Sequence, residues 1–436
     1  MKTNPVQIVR RLQSNGVADV GRRVIRRLYD QFDAAALQFP LLPEDVGDST
    51  RLPNFAALPA GPTFPAAATK DPLTTDPLTT EPLTTEPLTR EPLTIGWVCT
   101  PPSAGSGGHT TLFRMVAGLT ARGHRCILYL YDRHGGDREA QARVIRQGWP
   151  QLQVEIRDAT EGIRGVDAVV ASSWETAHVL ASRIRERASL LYFIQDFEPY
   201  FYPRGSLQAL AEDSYRFGFT NIALGEMVAQ ELAALEIPRL VAPFGCDTDV
   251  YSLSNRGARS GVVFYAKPGV DRRGFLLAQR GLEEFHERHP EQQIHVYGDP
   301  IRNWRTPVTR HERLTPVQLN QLYNASLAGI AMSFTNISLV AEEMLACGTI
   351  PIVNDSVGSR ADLRNPHVSW ALPTAGGIAD ALSRVVEGES QSERSVAASE
   401  SVRQGWGAAQ QIVAAAIVEA VARRGSRALP PAAVTA

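Results

Sequence analysis

From Thr94 onward the chain alternates short unbroken apolar runs with longer stretches in which apolar residues recur at three- and four-residue intervals. Buried parallel strands, and the helices that cover them, produce this rhythm. The runs Ile95-Gly-Trp-Val-Cys99, Arg125-Cys-Ile-Leu-Tyr-Leu-Tyr131, Ala168-Val-Val-Ala-Ser172, Leu190-Leu-Tyr-Phe-Ile194 and Asn221-Ile-Ala-Leu224 predict one sheet, with a helix from about Thr110 to Arg122 after the first strand. A second sheet is predicted by Gly261-Val-Val-Phe-Tyr265, Gln293-Ile-His-Val-Tyr297, Ala328-Gly-Ile-Ala-Met332 and Ile350-Pro-Ile-Val353. The expected fold class is α/β, with two Rossmann-like lobes, residues 95–245 and 246–390, facing across a cleft. The Ala-rich stretch from Ser392 to Arg424 is helical in period. By analogy with chains of this architecture, residues 391–436 are expected to form a C-terminal helix that crosses back to the first lobe.

Upstream the pattern changes. Within an N-terminal extension of residues 1–40, positions 5–39 read as helix: Val6, Val9, Leu12 and then Val20, Val24, Leu28 recur at helical spacing, beside Arg10, Arg11, Arg22, Arg23, Arg26 and Arg27. Two placements fit an apolar stripe with a basic face. The helix docks on the protein with its arginines solvated, or it makes peripheral contact with an anionic membrane surface. Residues 41–94 form a Pro/Thr-rich linker in which Asp71-Pro-Leu-Thr-Thr recurs, with small changes, from positions 76, 81, 86 and 91. Proline at every fifth position stops helix propagation and removes ladder donors, so this segment is expected to be extended. Its period is far shorter than that of any solenoid unit.

Composition narrows the partners. With 44 Lys and Arg against 46 Asp and Glu the net charge is -2, so no field favours nucleic acid and any anion site must be local. The four cysteines, Cys99, Cys126, Cys246 and Cys347, lack zinc spacing and sit in apolar stretches, which suits a reduced cytoplasm. No secretory h-region and no apolar run of about 20 residues is present, so a spanning segment is not expected.

Candidate chemistry sits where strands end. Phe264-Tyr-Ala-Lys-Pro-Gly-Val-Asp-Arg-Arg-Gly-Phe275 places Lys267 at a strand exit and Arg272 and Arg273 at a helix start. Cations there oppose the helix dipole, so a bound phosphate explains them better than solvation does. Ser333-Phe-Thr-Asn-Ile-Ser338 predicts a polar donor-binding loop through Thr335, Asn336 and Ser338, and Glu343 follows in the first turn of the next helix. That carboxylate either accepts from sugar or ribose hydroxyls or merely compensates the dipole. In the first lobe, Ser103-Ala-Gly-Ser-Gly-Gly-His109 is a Gly-rich loop of neither dinucleotide nor P-loop pattern. Gly107, Gly108 and His109 are its cleft candidates, His109 having a purely structural alternative. Gln195, Asp196 and Glu198 lie at the end of another strand, followed by aromatics that suit sugar faces, which marks an acceptor pocket. Asp196 is the first candidate for a base acting on an acceptor hydroxyl and Glu198 the second; a turn-capping acid is the alternative for each. No Asp-x-Asp stands beside a strand, so neither a metal nor another cofactor is expected.

These residues resemble a known group. Asp247-Thr-Asp-Val-Tyr251 after Pro243-Phe-Gly, the basic loop, and Glu343-Met-Leu-Ala-Cys-Gly-Thr-Ile-Pro-Ile-Val353 look like the family 4 GT-B glycosyltransferases. The closer likeness is to bacterial rhamnosyltransferases of the WsaF type, through Gln195-Asp-Phe-Glu-Pro199 and the loop from Ala266 to Phe275. The resemblance implies a GT-B fold and a hexosyltransferase that moves a sugar, L-rhamnose from dTDP-rhamnose or the sugar of a related UDP donor, onto a polysaccharide or lipid-linked glycan of the cell envelope. It matches Glu343 to the second glutamate of Glu-x7-Glu, while Thr335 stands where the first would fall. The diphosphate cations of the family match Lys267 and, with one extra residue, Arg273.

Three readings compete at this level. The first is the transferase. The second is another GT-B enzyme, an epimerase or a phosphorylase whose pyridoxal lysine would have to be Lys267, the only lysine after Lys70. The third is an inactive scaffold of a glycan assembly complex.

Overall fold

A computed structural model describes residues 39–52 and 91–426, apart from 104, 302, 303, 312, 313, 338 and 403. Most of the N-terminal helix reading, the first four pentapeptide repeats and Ser338 lie outside these residues, while the last repeat, from Glu91, runs into the first strand at Thr94. Residues 39–46 belong to a separate compact unit, and among its described residues the one regular element is a short turn, Pro43–Asp45.

The remainder carries two all-parallel sheets. The first contains β1 (Thr94–Cys99), β2 (Arg125–Leu130), β3 (Glu155–Asp158), β4 (Ala168–Ala171), β5 (Ser189–Ile194), β6 (Thr220–Leu224) and β7 (Leu240–Ala242), in the order β3-β2-β1-β4-β5-β6-β7. The second contains β8 (Val262–Ala266), β9 (Ile294–Gly298), β10 (Thr309–Arg310), β11 (Ala328–Ile330), β12 (Ile350–Asn354) and β13 (Ser369–Ala371), in the order β10-β9-β8-β11-β12-β13. Every predicted strand is present. Both orders reverse direction after their first strand, between β1 and β4 and between β8 and β11. Such switch points open a crevice at the carboxyl ends of parallel strands, where ligands of doubly wound sheets bind.

Helices α1 (Gly107–Ala121), α2 (Arg138–Gly148), α3 (Trp174–Arg183), α4 (Ser206–Ser214) and α5 (Glu226–Ala234) accompany the first sheet. The second carries α6 (Phe275–Arg288), α7 (Pro316–Ala325), α8 (Leu339–Ala346), α9 (Val357–Asp362) and α10 (Ala375–Val386). Helix α1 starts earlier than its apolar spacing predicts, because the Ser106 side chain accepts from the His109 N–H and caps it.

The C-terminal stretch is two helices rather than one, α11 (Gln391–Ser401) and α12 (Gly407–Ser426). The break falls where the chain passes the other interlobe crossing. The Cys246 N–H donates to the Gln404 carbonyl at 3.0 Å, and a Cβ on Gly245 would lie 2.6 Å from the Gly405 carbonyl oxygen. Helix α12 then packs on α1, β5, β6 and β7, and Gln410 Nε2 donates to the Arg114 carbonyl at 2.9 Å. Two backbones meeting at Gly245 leave nothing flexible to yield. Gly245→Ala is therefore expected to lower stability by about 1–3 kcal/mol, read as a fall in melting temperature.

Candidate functional site

Both switch points open on the same cleft, and the charged candidates cluster there. On the second lobe, the loop after β8 makes a short turn, Asp271–Arg273, ended by Gly274 at φ 63. A Cβ at Gly274 would stand 3.0 Å from the Phe334 ring and 3.2 Å from Met332, so glycine permits both the left-handed backbone and the close approach. The Phe334 N–H donates to the Arg272 carbonyl at 3.1 Å and ties this turn to the loop after β11. Arg273 Nη1 donates to Ser333 Oγ at 2.7 Å and to Asn336 Oδ1 at 3.2 Å. Its guanidinium is thus fixed before any anion arrives.

The first lobe supplies the opposite wall. Asp196, just past β5, is 6% exposed, and its Oδ2 lies 3.6 Å from Arg272 Nε. The Arg272 guanidinium also stacks 4.2 Å over the Phe201 ring, and Asn336 Nδ2 donates to the Gln195 carbonyl at 3.3 Å. Candidate donor residues therefore contact candidate acceptor residues directly. Burial raises the Asp196 carboxyl above its ordinary range, while Arg273, Arg272 and Thr335 pull it back. Thr335 comes close enough to act on that charge, yet neither Asp196 Oδ1 nor Thr335 Oγ1, both buried, completes a well-formed hydrogen bond.

Gly107 and Gly108 open the first turn of α1. A Cβ at Gly107 would meet nothing within 4 Å, and at Gly108 only Gln195 Oε1 at 3.9 Å. His109 is different, because both its ring nitrogens are engaged, Nδ1 with Ser106 Oγ at 2.8 Å and Nε2 with the Thr100 carbonyl at 2.9 Å. Burial lowers its pKa. This neutral, fully bonded imidazole anchors the loop and has no nitrogen left for a ligand, which corrects its candidacy as a cleft contact.

Glu198 is likewise drawn into the protein. It is buried, and its Oε2 accepts from the Trp174 N–H at 2.5 Å, in the first turn of α3, and from the Tyr192 hydroxyl at 2.7 Å. Burial, reinforced by neighbouring Glu175, pushes its carboxyl well up. With one carboxylate oxygen tied to two protein donors, Glu198 holds the loop to α3 and fits the structural alternative better than the base. Glu198→Gln, which keeps an acceptor oxygen, is expected to preserve turnover. Glu198→Ala should cost about 1–3 kcal/mol of stability for each donor left unpaired, measured by thermal melting.

Lys267 and Glu343 depart in part from their expected surroundings. Lys267 leaves β8 and pairs with Asp299 at 2.9 Å, with its Nζ 5.4 Å from the Tyr265 ring centre. Burial works against its charge, but Asp299 and Tyr265 more than restore it. Tyr265 also favours the Arg273 charge, after burial, Asp196 and Arg272 have acted on it. Glu343 lies in the second turn of α8, so dipole compensation does not explain it. Burial pushes its carboxyl up to about 7; Arg114 of α1 pulls it down and Asp247 pushes it further up. Arg114 itself pairs with Asp247 and lies 4.7 Å over the Trp406 ring. The sequence reading did not single out Arg114 or Ser333. A lone arginine among Leu112, Phe113, Met115 and Val116 was the available signal for the first.

The chain's one Asp-x-Asp, Asp247-Thr248-Asp249, lies in the interlobe linker, where Asp247 is committed to Arg114. Among the described residues no group of three or more His, Cys, Asp or Glu side chains is arranged to hold a metal ion. No helix among them is long and apolar enough to cross a membrane.

Known proteins resemble parts of this chain. Residues 153–227 match the model of the WsaF N-terminal domain, and residues 260–383 match that of the WsaF C-terminal domain. Part of each lobe thus matches a WsaF domain model, and the two lobes together form a GT-B fold. A curated relative, the O-antigen biosynthesis protein RfbC of Myxococcus xanthus, is 29% identical over 287 residues, which is 62% of this chain. The matched region spans only 22% of that relative's length. Among solved structures, the two lobes superpose on Anabaena Alr3699/HepE in complex with UDP-glucose (TM-score 0.55, 15% identity, 77% of this chain and 100% of that one). They also superpose on the catalytic domain of Arabidopsis thaliana starch synthase IV bound to ADP and acarbose (TM-score 0.53, 13% identity, 76% and 100%). At such identities these likenesses establish the fold. Within that fold, Arg272, Arg273, Ser333, Thr335 and Asn336 occupy the two loops at the second lobe's switch point.

Proposed function

We propose that this WsaF-type chain is a glycosyltransferase that moves a sugar from a nucleoside diphosphate donor to a hydroxyl of a growing glycan. The observation that carries the reading is the pre-fixed Arg273, with Arg272 beside it, facing the buried Asp196 across the closed cleft. In the transfer, an acceptor oxygen bonds to the anomeric carbon, the bond from that carbon to the diphosphate breaks, and the diphosphate leaves with the electron pair. Arg273, Arg272 and Lys267 meet the charge that builds on the departing phosphates. Asp196 takes the acceptor proton. A phosphate bound beside the fixed arginines offsets the positive charge that Asp196 feels, so its proton affinity rises at the moment it is needed. Thr335, Asn336, Ser338 and the open turn at Gly107 and Gly108 are assigned to donor hydroxyls and phosphate, and Glu343 to orienting the donor. Cations and backbone groups supply the charge stabilisation, with no step given to a metal.

The resemblance of the basic loop and of Gln195-Asp-Phe-Glu-Pro199 supports L-rhamnose from a dTDP donor as the sugar, with a lipid-linked or polysaccharide acceptor. The curated relative's role in O-antigen biosynthesis and the UDP-glucose in a structural neighbour support the broader class. Four buried free cysteines suit a reducing cytoplasmic setting. A phosphorylase reading fares worse, because a Schiff base needs a neutral amine and the contacts of Lys267 favour its charge. A thermal-shift panel tests the assignment, since a ligand that binds only the folded state raises the melting temperature. Nucleoside diphosphates and their sugars should raise it more than the monophosphates do. No response to any diphosphate would sink the reading, and a preference for uridine over thymidine would sink the rhamnose donor alone.

A further inference from the structure

Helix α5 begins without a cap of its own. Its N-cap position is Gly225, at φ 88, which has no side chain to accept from the first turn. The free N–H groups are met from the other lobe. Asp362, the last residue of α9, accepts from the Glu226 N–H through Oδ1 and from the Met227 N–H at 3.1 Å through Oδ2. A carboxylate on two N-terminal donors satisfies groups the helix cannot satisfy itself and sits at the positive end of its dipole.

The surrounding residues are shaped to this contact. A Cβ on Gly225 would stand 2.7 and 2.8 Å from the two Asp362 oxygens, so only glycine lets the carboxylate come so near. On α9, a Cβ at Gly358 would lie 2.7 Å from Met227 Cγ, so the two helices also pack closely beside the cap. The charged groups acting on Asp362 are Glu226 on α5, Glu342 on α8 and Arg364 just beyond α9. Burial pushes its carboxyl up to about 6, the two N–H donors opposing that rise. The contact follows β6 and β12, whereas the Asp196–Arg272 contact follows β5 and β8. It therefore uses no residue assigned to substrate.

We propose that Asp362 is a borrowed helix cap that clasps the two lobes, so that lobe closure and ordering of the first turn of α5 are one event. Asp362 is thus a positioning residue for the cleft. Its effect on turnover rests on the transferase reading, whereas the clasp itself does not.

Hydrogen exchange over residues 225–234 and small-angle X-ray scattering, both on the full chain without substrate, test the clasp independently of activity. In Asp362→Ala the first-turn amides should exchange at least tenfold faster, and the radius of gyration should increase. Asp362→Asn keeps one acceptor and should fall between Asp362→Ala and the wild type. Glu226→Pro removes a donor from the opposite lobe at a position where helices accept proline, and should open the lobes in the same way. Unchanged exchange and dimensions in both Asp362→Ala and Glu226→Pro would overturn the proposal. Faster exchange without expansion would also overturn it, because Asp362 would then cap α5 without holding the lobes.

Discussion

Arg273→Ala is expected to lower kcat/KM for the nucleotide-sugar by about 10²–10³-fold, the usual loss on removing one pre-organised group that meets transition-state charge. Ser333 and Asn336 hold this guanidinium in place without substrate, so it needs little reorganisation when the diphosphate departs. Arg273→Lys keeps the charge but loses the planar fork that can meet phosphate oxygens in pairs, and should recover only part of the rate. The core is not expected to suffer. Arg272 still compensates Asp196, and the turn remains anchored by Gly274 and the bond from Phe334 to Arg272. Steady-state kinetics beside a thermal melt separates the effects; a folded Arg273→Ala protein with normal turnover would remove the diphosphate assignment.

Asp196→Asn is expected to separate binding from chemistry. An amide cannot take the acceptor proton, so kcat should fall by about 10²–10⁴-fold, the range for loss of a positioned general base. Affinity for the nucleoside diphosphate should move the other way, because the amide no longer neutralises Arg272 and Arg273 where phosphate must bind. Titration calorimetry of the variant with the diphosphate reads this directly. Weakened diphosphate binding with kcat unchanged would make Asp196 a structural partner of the arginines and nothing more.

The two sheets were legible because their central strands are unbroken apolar runs. The strands that escaped notice, β3, β7, β10 and β13, lie toward the sheet margins and are short, and Glu155-Ile-Arg-Asp158 and Thr309-Arg310 carry polar residues that interrupt the apolar signal. Placement at strand ends was likewise readable for Lys267, Arg272, Arg273 and Asp196. Whether a polar atom is free was not. His109 and Glu198 stand beside the cleft in sequence, yet their partners Thr100, Trp174 and Tyr192 are set by backbone turns that no spacing rule reports. Contacts between lobes, such as Asp196 with Arg272 or Asp362 with Glu226, join distant segments and depend on how the two sheets face each other. The break between α11 and α12 hid in an Ala-rich helical period although Gly405 and Gly407 flank Trp406, because its cause is the backbone at Gly245.

The most direct test of sugar transfer is release of nucleoside diphosphate from dTDP- and UDP-sugars, followed with and without a lipid-linked glycan acceptor. Acceptor-dependent release that is lost in Arg273→Ala is the predicted result. Absence of release from every nucleotide-sugar offered with acceptor, by a chain that still binds the diphosphate, would contradict it.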